Sequence, residues 1–207
     1  MNKYADSLTG LPGRKALENF VNECIDKDTP VALALIDVDY FMEINAISNE
    51  TGDKVLQTLA AMFQEIAPQQ AYRVSGDEFA IVLPGATLEQ AFLRMELARA
   101  KVEQTQDRFQ LPEHRDVTIT IGVAQYPRDA KNEQALNRAA SAALMTAKEI
   151  GRNQVALAPN EEMIMKSCYY PSSSVRKLKT LAEQLSKKES FLLREALNDL
   201  LRKYDQN

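Results

Sequence analysis

The chain predicts an α/β (α+β) fold: a sheet flanked by helices, with a small strand-helix-helix unit behind it. Three observations carry that prediction. Apolar residues recur at helical spacing in several long segments, and short apolar or alternating runs of strand length lie between them. After Ala158-Pro159-Asn160 both the charge balance and the pattern change.

The elements follow in order. Pro30-Val31-Ala32-Leu33-Ala34-Leu35-Ile36 is an apolar run short enough for a buried strand, and it ends in Asp37-Val38-Asp39-Tyr40-Phe41. Residues 46–66 read as a helix, with Val55, Leu56, Leu59, Met62, Phe63 and Ile66 at helical spacing. Residues 72–84 read as a hairpin whose two-residue turn is built on Ser75-Gly76. Residues 88–104 form a further helical stretch, and 117–126 alternate like a strand. Residues 133–150 are alanine-rich and helical, with Gly151 as the stop, and 155–157 supply a last strand.

Two carboxylates, Asp77 and Glu78, stand at the exit of the hairpin turn. Like charges repel there and strands disfavour aspartate, so the pair makes sense if a cation sits at the turn. Asp37 and Asp39 end the buried strand in the same manner. Mg²⁺ takes hard oxygen ligands, few of them from the protein, and leaves positions for phosphate and water. Each feature has a plainer reading as well: a turn former, a solvated hairpin, a helix cap at Asn45, or a charged helix face at Lys148 and Arg152.

Six segments taken in order carry a resemblance. They are Asp6-Ser7-Leu8-Thr9-Gly10-Leu11-Pro12-Gly13-Arg14, Asp37 to Asn45, Gly52-Asp53, Ser75-Gly76-Asp77-Glu78-Phe79, Thr120-Ile121-Gly122-Val123-Ala124, and Ala147 to Asn153. Their succession over residues 4–158 resembles the signatures of GGDEF domains, the diguanylate cyclases and their degenerate relatives. The resemblance implies a palm-like, mostly antiparallel sheet and the condensation of two GTP into cyclic di-GMP across a dimer. It implies that Asp37, the Val38 carbonyl and Asp77 hold Mg²⁺ or Mn²⁺. Asp77 would also assist deprotonation of the ribose 3′-hydroxyl, with Glu78 supporting the metal site. Asn45 and Asp53 would read the guanine edge. Lys148 and Arg152, four residues apart on a helix, would share a face toward the phosphates.

Departures from the family pattern matter equally. Ser75 replaces the first glycine of the turn motif, Met42 stands where lysine is usual, and Ala46 replaces an aspartate. The loop from Asn45 to Asp53 is one residue short. Ile66 and Gln69 occupy the places of the Arg-x-x-Asp product site, which implies no feedback through it. Met42, Ala46 and the short loop favour a regulator that senses GTP or cyclic di-GMP. Intact Asp37, Asp77, Glu78, Lys148 and Arg152 favour catalysis.

Composition suits a compact protein of 207 residues, 45% of them hydrophobic. No apolar run approaches ~20 residues and Met1-Asn2-Lys3-Tyr4 is no signal peptide, so no membrane partner and a cytoplasmic location are expected. Cys24 and Cys168 are too few for a disulfide framework, and one histidine, His114, rules out multi-histidine centres.

Two domains are expected, 1–159 and 160–207. Residues 1–160 carry 16 Lys and Arg against 22 Asp and Glu; residues 161–207 carry 9 against 7, so the tail is the basic part of an acidic chain. The tail reads as a strand, Met163 to Tyr170, stopped by Pro171; Ser172-Ser173-Ser174 then cap a helix with Val175, Leu178, Leu181, Ala182 and Leu185. Ser190 opens a second helix with Leu193, Ala196, Leu197, Leu200 and Tyr204 on one face. So short a unit buries too little alone, which points to a homodimer. The order resembles ribbon-helix-helix DNA-binding domains. By that resemblance Cys168 and Tyr170 face the core, Ser167, Tyr169 and Met165 face DNA, and Lys187, Lys188 and the Ser190 amide meet phosphates.

Overall fold

The computed structural model describes residues 5–111, 115–159, 168–185, 187 and 189–204. Residues 1–160 and 161–207 form two compact units.

In the first unit five strands line up as β2-β3-β1-β4-β5: β1 (Val31–Val38), β2 (Ala71–Ser75), β3 (Glu78–Pro84), β4 (Ile119–Tyr126) and β5 (Val155–Leu157). β1 is central and runs antiparallel to both β3 and β4; β2 is antiparallel to β3, and β5 is parallel to β4. The sheet is therefore mixed but mostly antiparallel.

β1 reads as an unbroken apolar run because both its faces are covered. Ala32, Ala34, Ile36 and Val38 face a core shared with Leu59, Met62, Phe63 and Met95. These come from α3 (Asn49–Ile66) and α4 (Leu88–Gln104). Val31, Leu33 and Leu35 face a second core with Leu17, Val21, Leu136, Ala140 and Leu144, from α1 (Arg14–Asp26) and α5 (Glu133–Ile150). α5 lies very close on β4: a Cβ at Gly122 would strike the backbone of Leu144 and Ala140. Glycine at 122 thus sets the height of α5, and with it the height of Lys148.

Two expected elements are shorter than the sequence suggests. The helix expected over 46–66 begins only at Asn49, as α3, because Ser48 takes an extended backbone (φ −168°) and caps α3 by accepting from the Thr51 amide at 3.0 Å; a separate short helix, α2 (Phe41–Asn45), precedes it. The strand expected from 117 begins at Ile119; Val117 is buried, but its amide and carbonyl are taken by the side chain of Gln106.

In the second unit α6 (Ser172–Leu185) and α7 (Glu189–Tyr204) form a helical pair. The serines expected as a cap lie inside the first turn, where Ser174 and Val175 donate to the Pro171 carbonyl. Ala182 and Leu192 are buried, whereas Val175, Leu181, Leu185, Leu193, Leu197, Leu200 and Tyr204 are exposed. The expected strand falls mostly outside the described residues. Its described end, residues 168–170, has no regular structure, and Cys168 and Tyr170 are exposed instead of facing a core.

Candidate active site

The carboxylates converge at one edge of the sheet. β1 ends with Asp37 paired across the strands to Glu78 on β3 and to Thr120 on β4. The hairpin is tied to the same place by the Val38 amide, which donates to the Asp77 carbonyl at 3.3 Å. Its turn is Gly76-Asp77, not Ser75-Gly76: Ser75 and Glu78 are register partners, and Gly76 takes the positive φ (+32°) the tight turn needs. Ser75 has a use of its own, donating its hydroxyl to Glu78 Oε2 at 2.7 Å. Phe79 is fully buried and packs edge-on against Phe63, anchoring the hairpin to the core.

A second tie holds the turn from the chain's start. Arg73 donates from Nε and Nη2 to the Gly76 carbonyl (3.1 and 2.7 Å) and from Nη1 to Asp6 at 2.8 Å. Asp6 also accepts from the Thr9 amide and hydroxyl. Partial burial pushes the Asp6 carboxyl up, but the Thr9 and Arg73 hydrogen bonds outweigh it and hold it below its ordinary value.

Lys148 reaches in from α5, its Nζ 2.6 Å from Asp37 Oδ2. Burial raises Asp37, the Lys148 ammonium pulls it down, and Asp77 and Asp39 push it up again; the net direction is upward. Asp37 and Asp77 are close enough to disturb one another, and Lys148 is paired with Asp37. Asp37 and Asp77 with the Val38 carbonyl are hard oxygen donors, few enough to leave room for water and phosphate, so they fit Mg²⁺ or Mn²⁺. Among the described residues no group of three or more His, Cys, Asp and Glu is placed to hold a metal. Beside Glu78 and Lys148 a cavity of 310 Å³ opens over Leu35 and Leu144, edged by Arg14 and Met145.

Arg152 does not share a helical face with Lys148, as expected from their spacing. Gly151, at φ +140°, ends α5, and Arg152 continues at φ +63° with its guanidinium carbon 4.9 Å above the Tyr40 ring. Asp39, beside the expected metal donors, has its oxygens taken by other partners. It is 2% exposed and fully engaged, accepting from the hydroxyls of Thr118 (2.7 Å) and Thr120 (2.6 Å) and from the Asn153 amide (3.1 Å). Sequence reading missed Thr118, Asn153, Arg73 and Asp6 as supports; Thr118 and Thr120, two apart in an alternating run, were the available signal.

The expected base-reading pair lies on α2 and α3, both residues exposed. Asn45 is packed against Gly52, where any Cβ would meet its Oδ1, so the two helices close up next to Asp53 despite the shortened loop. Met42 projects into solvent, 86% exposed. In the second unit Tyr169 and Ser190 are exposed, and Lys187 lies 3.7 Å from Glu195. Ser167, Met165 and Lys188 fall outside the described residues.

A family model described as diguanylate cyclase, GGDEF domain, matches residues 3–154. An uncharacterized membrane protein of Staphylococcus saprophyticus, SSP1970, is 35% identical over 77% of this chain and 48% of its own length. The uncharacterized protein YhcK of Bacillus subtilis is 32% identical over 77% of this chain and 46% of its own. The chain thus spans about half the length of these curated relatives. Among solved structures, the GGDEF domain of DgcB from Caulobacter crescentus in complex with c-di-GMP matches with TM-score 0.67 and 27% identity, over 76% of this chain and 97% of that one. A GGDEF-only form of PA1120 from Pseudomonas aeruginosa matches with TM-score 0.68 and 30% identity, over 75% and 95%. Among the described residues no helix is long and apolar enough to cross a membrane.

Proposed function

Because the chain belongs to the GGDEF domain family of diguanylate cyclases, we propose that it condenses two GTP molecules into cyclic di-GMP. The observation that carries this reading is the convergence of Asp37, Asp77, Glu78 and Lys148 at the end of β1. Asp37, the Val38 carbonyl and Asp77 would hold Mg²⁺ or Mn²⁺, which supplies the positive charge a triphosphate needs. Asn45 and Asp53 read the guanine edge. Lys148 from α5 and Arg152 from the turn after it bind the phosphates and stabilise the charge that grows as pyrophosphate leaves. Asp77 takes the proton of the second nucleotide's 3′-hydroxyl while that oxygen attacks the α-phosphorus. Ser75 and Arg73 keep the turn in shape for this.

A second reading, a regulator that binds GTP or cyclic di-GMP without turnover, is favoured by Met42, which places no charge toward the phosphates. One experiment decides between them: purified chain, GTP and Mg²⁺, with products separated by chromatography. The dinucleotide is expected, and Asp77→Ala should reduce its formation by roughly two orders of magnitude or more. Equal turnover by Asp77→Ala sinks the site; nucleotide binding without product in the wild type selects the regulator.

The second unit is read as a homodimerising, ribbon-helix-helix-like element that also binds DNA, in a cytoplasmic protein. Seven large apolar side chains exposed on two helices support the dimer. Tyr169, Lys187 and Ser190, with Ser167 and Lys188 from the sequence, are its DNA candidates. Light scattering should show a dimer that becomes monomeric, and duplex-DNA retention should vanish, when residues 161–207 are removed. A dimeric truncated chain refutes the assignment of the dimer to the tail.

A further inference from the structure

Arg152 and Asn153 are consecutive non-glycine residues in the left-handed region, at φ +63° and +43°. Such a pair persists only where its surroundings fix it. The Asn153 amide donates to Asp39 Oδ2 (3.1 Å) and to Thr120 Oγ1 (3.0 Å), which seats the turn on the buried Asp39. Its side chain is held from the other direction, by α4. Asn153 Oδ1 accepts from Arg99 Nη1 at 3.0 Å, and Asn153 Nδ2 donates to Glu103 Oε1 at 2.7 Å. Arg99, its side chain 17% exposed, is itself clamped by Glu96 (3.1 Å) and Glu103 (2.9 Å). Glu96 then accepts the Val155 amide at 3.2 Å, so the strand leaving the turn is tied to the same helix. Donor meets acceptor at every contact of the Asn153 amide.

We propose that Arg99 and Asn153 are positioning residues for Arg152: a relay from α4 fixes the strained turn that aims the Arg152 guanidinium across Tyr40 at the phosphates of the bound nucleotide. This rests on the phosphate-site reading above. Without the relay the turn is free to leave the left-handed region, and the guanidinium swings off Tyr40. Asn45 and Asp53, on separate helices, keep their places. The relay therefore matters for a triphosphate and not for the base.

Calorimetric titration with a non-hydrolysable GTP analogue and with GMP, each with Mg²⁺, tests this on Arg99→Met and Asn153→Gly. Glycine adopts φ +43° without strain, so Asn153→Gly removes the side-chain carboxamide held by Arg99 and Glu103, keeps the backbone N–H on Asp39 and Thr120, and leaves folding unthreatened. Both variants should bind the GTP analogue about tenfold to a hundredfold more weakly, the loss expected for a charged hydrogen bond, with GMP unchanged. Arg99→Lys, which keeps a donor, should fall between. Equal weakening of both nucleotides marks a merely structural role and overturns the proposal, as does undiminished binding of the GTP analogue. Wild type that binds the GTP analogue no better than GMP overturns the phosphate-site reading itself, and the relay with it.

Discussion

In Lys148→Met the aliphatic stem keeps its packing, but the ammonium 2.6 Å from Asp37 is gone. Asp37's side chain is 13% exposed and that of Lys148 30%. Breaking a buried pair from one side costs about 3–5 kcal/mol, and an exposed pair about 0–1. This pair lies between those limits, so about 1–3 kcal/mol is expected at neutral pH. For a unit of this size that lowers Tm by roughly 3–10 °C. The pH dependence follows from the direction of the Asp37 shift. Its folded pKa is already raised, by burial first, so its favourable contribution is complete below the ordinary carboxylate value and is lost as pH rises through the folded value. Removing Lys148 raises that folded value further, so the variant's deficit should be small near pH 4 and full at pH 7. Mg²⁺ or Mn²⁺ should then stabilise the variant more than wild type, because in wild type the cation must displace the lysine. Thermal unfolding by circular dichroism, with and without cation at the two pH values, measures all three effects. A neutral-pH Tm equal to wild type, or a cation effect larger in wild type, would refute the reasoning.

The tie at the start of the chain behaves in the opposite sense. Asp6 lies below its ordinary pKa, since the Thr9 and Arg73 bonds outweigh burial; its contribution is present above the unfolded value and lost as pH falls through the folded one. Asp6→Asn should cost about 1–3 kcal/mol at pH 7, with the gap to wild type closing below pH 4 in urea titrations; a gap that persists in acid would contradict this. Gly122→Ala drives a methyl group into the backbone of α5. It should cost about 1–3 kcal/mol by overpacking and impair Lys148-dependent turnover, whereas a wild-type Tm would show that α5 can move away freely.

Much of this was legible in the sequence, for identifiable reasons. The bounds of α4 and α5 agree with the helical stretches read over 88–104 and 133–150, and the structure shows Thr87 and Asn132 capping their starts. The convergence of Asp37 on Glu78 could be read as two acidic strand ends, since charge at the end of an apolar run is conspicuous. What misled were features that depend on backbone conformation. Lys148 and Arg152 have helical spacing, but the helix between them ends at Gly151, and spacing alone cannot report a left-handed turn. Residues 46–66 keep an apolar period through α3, and nothing in that period marks Ser48 as extended. In the tail the period was read correctly, yet it says which side chains share a face and not what covers that face.

The residues the sequence announced and those it concealed differ in what they touch. Asp37 meets Lys148 and lies within reach of the charge on Asp77 at the end of the sheet, and these charges stand out against apolar neighbours in the sequence. Asp39, Thr118, Thr120 and Asn153 meet mainly backbone and one another, and each taken singly is an ordinary polar residue. Their importance comes from closure, because every buried donor and acceptor among them is matched, and a partly satisfied network would cost more than an apolar one. Removing Asp39 or Thr120 from such a network leaves a buried partner unmatched. That separates it from the departures at Met42 and Ala46, which lie on exposed surface and disturb no buried bond. The turn and helix end that carry Arg152 and Lys148 thus rest on buried bonds that the substitutions at Met42 and Ala46 leave untouched, so on the reading proposed above those substitutions should change nucleotide affinity and not stability.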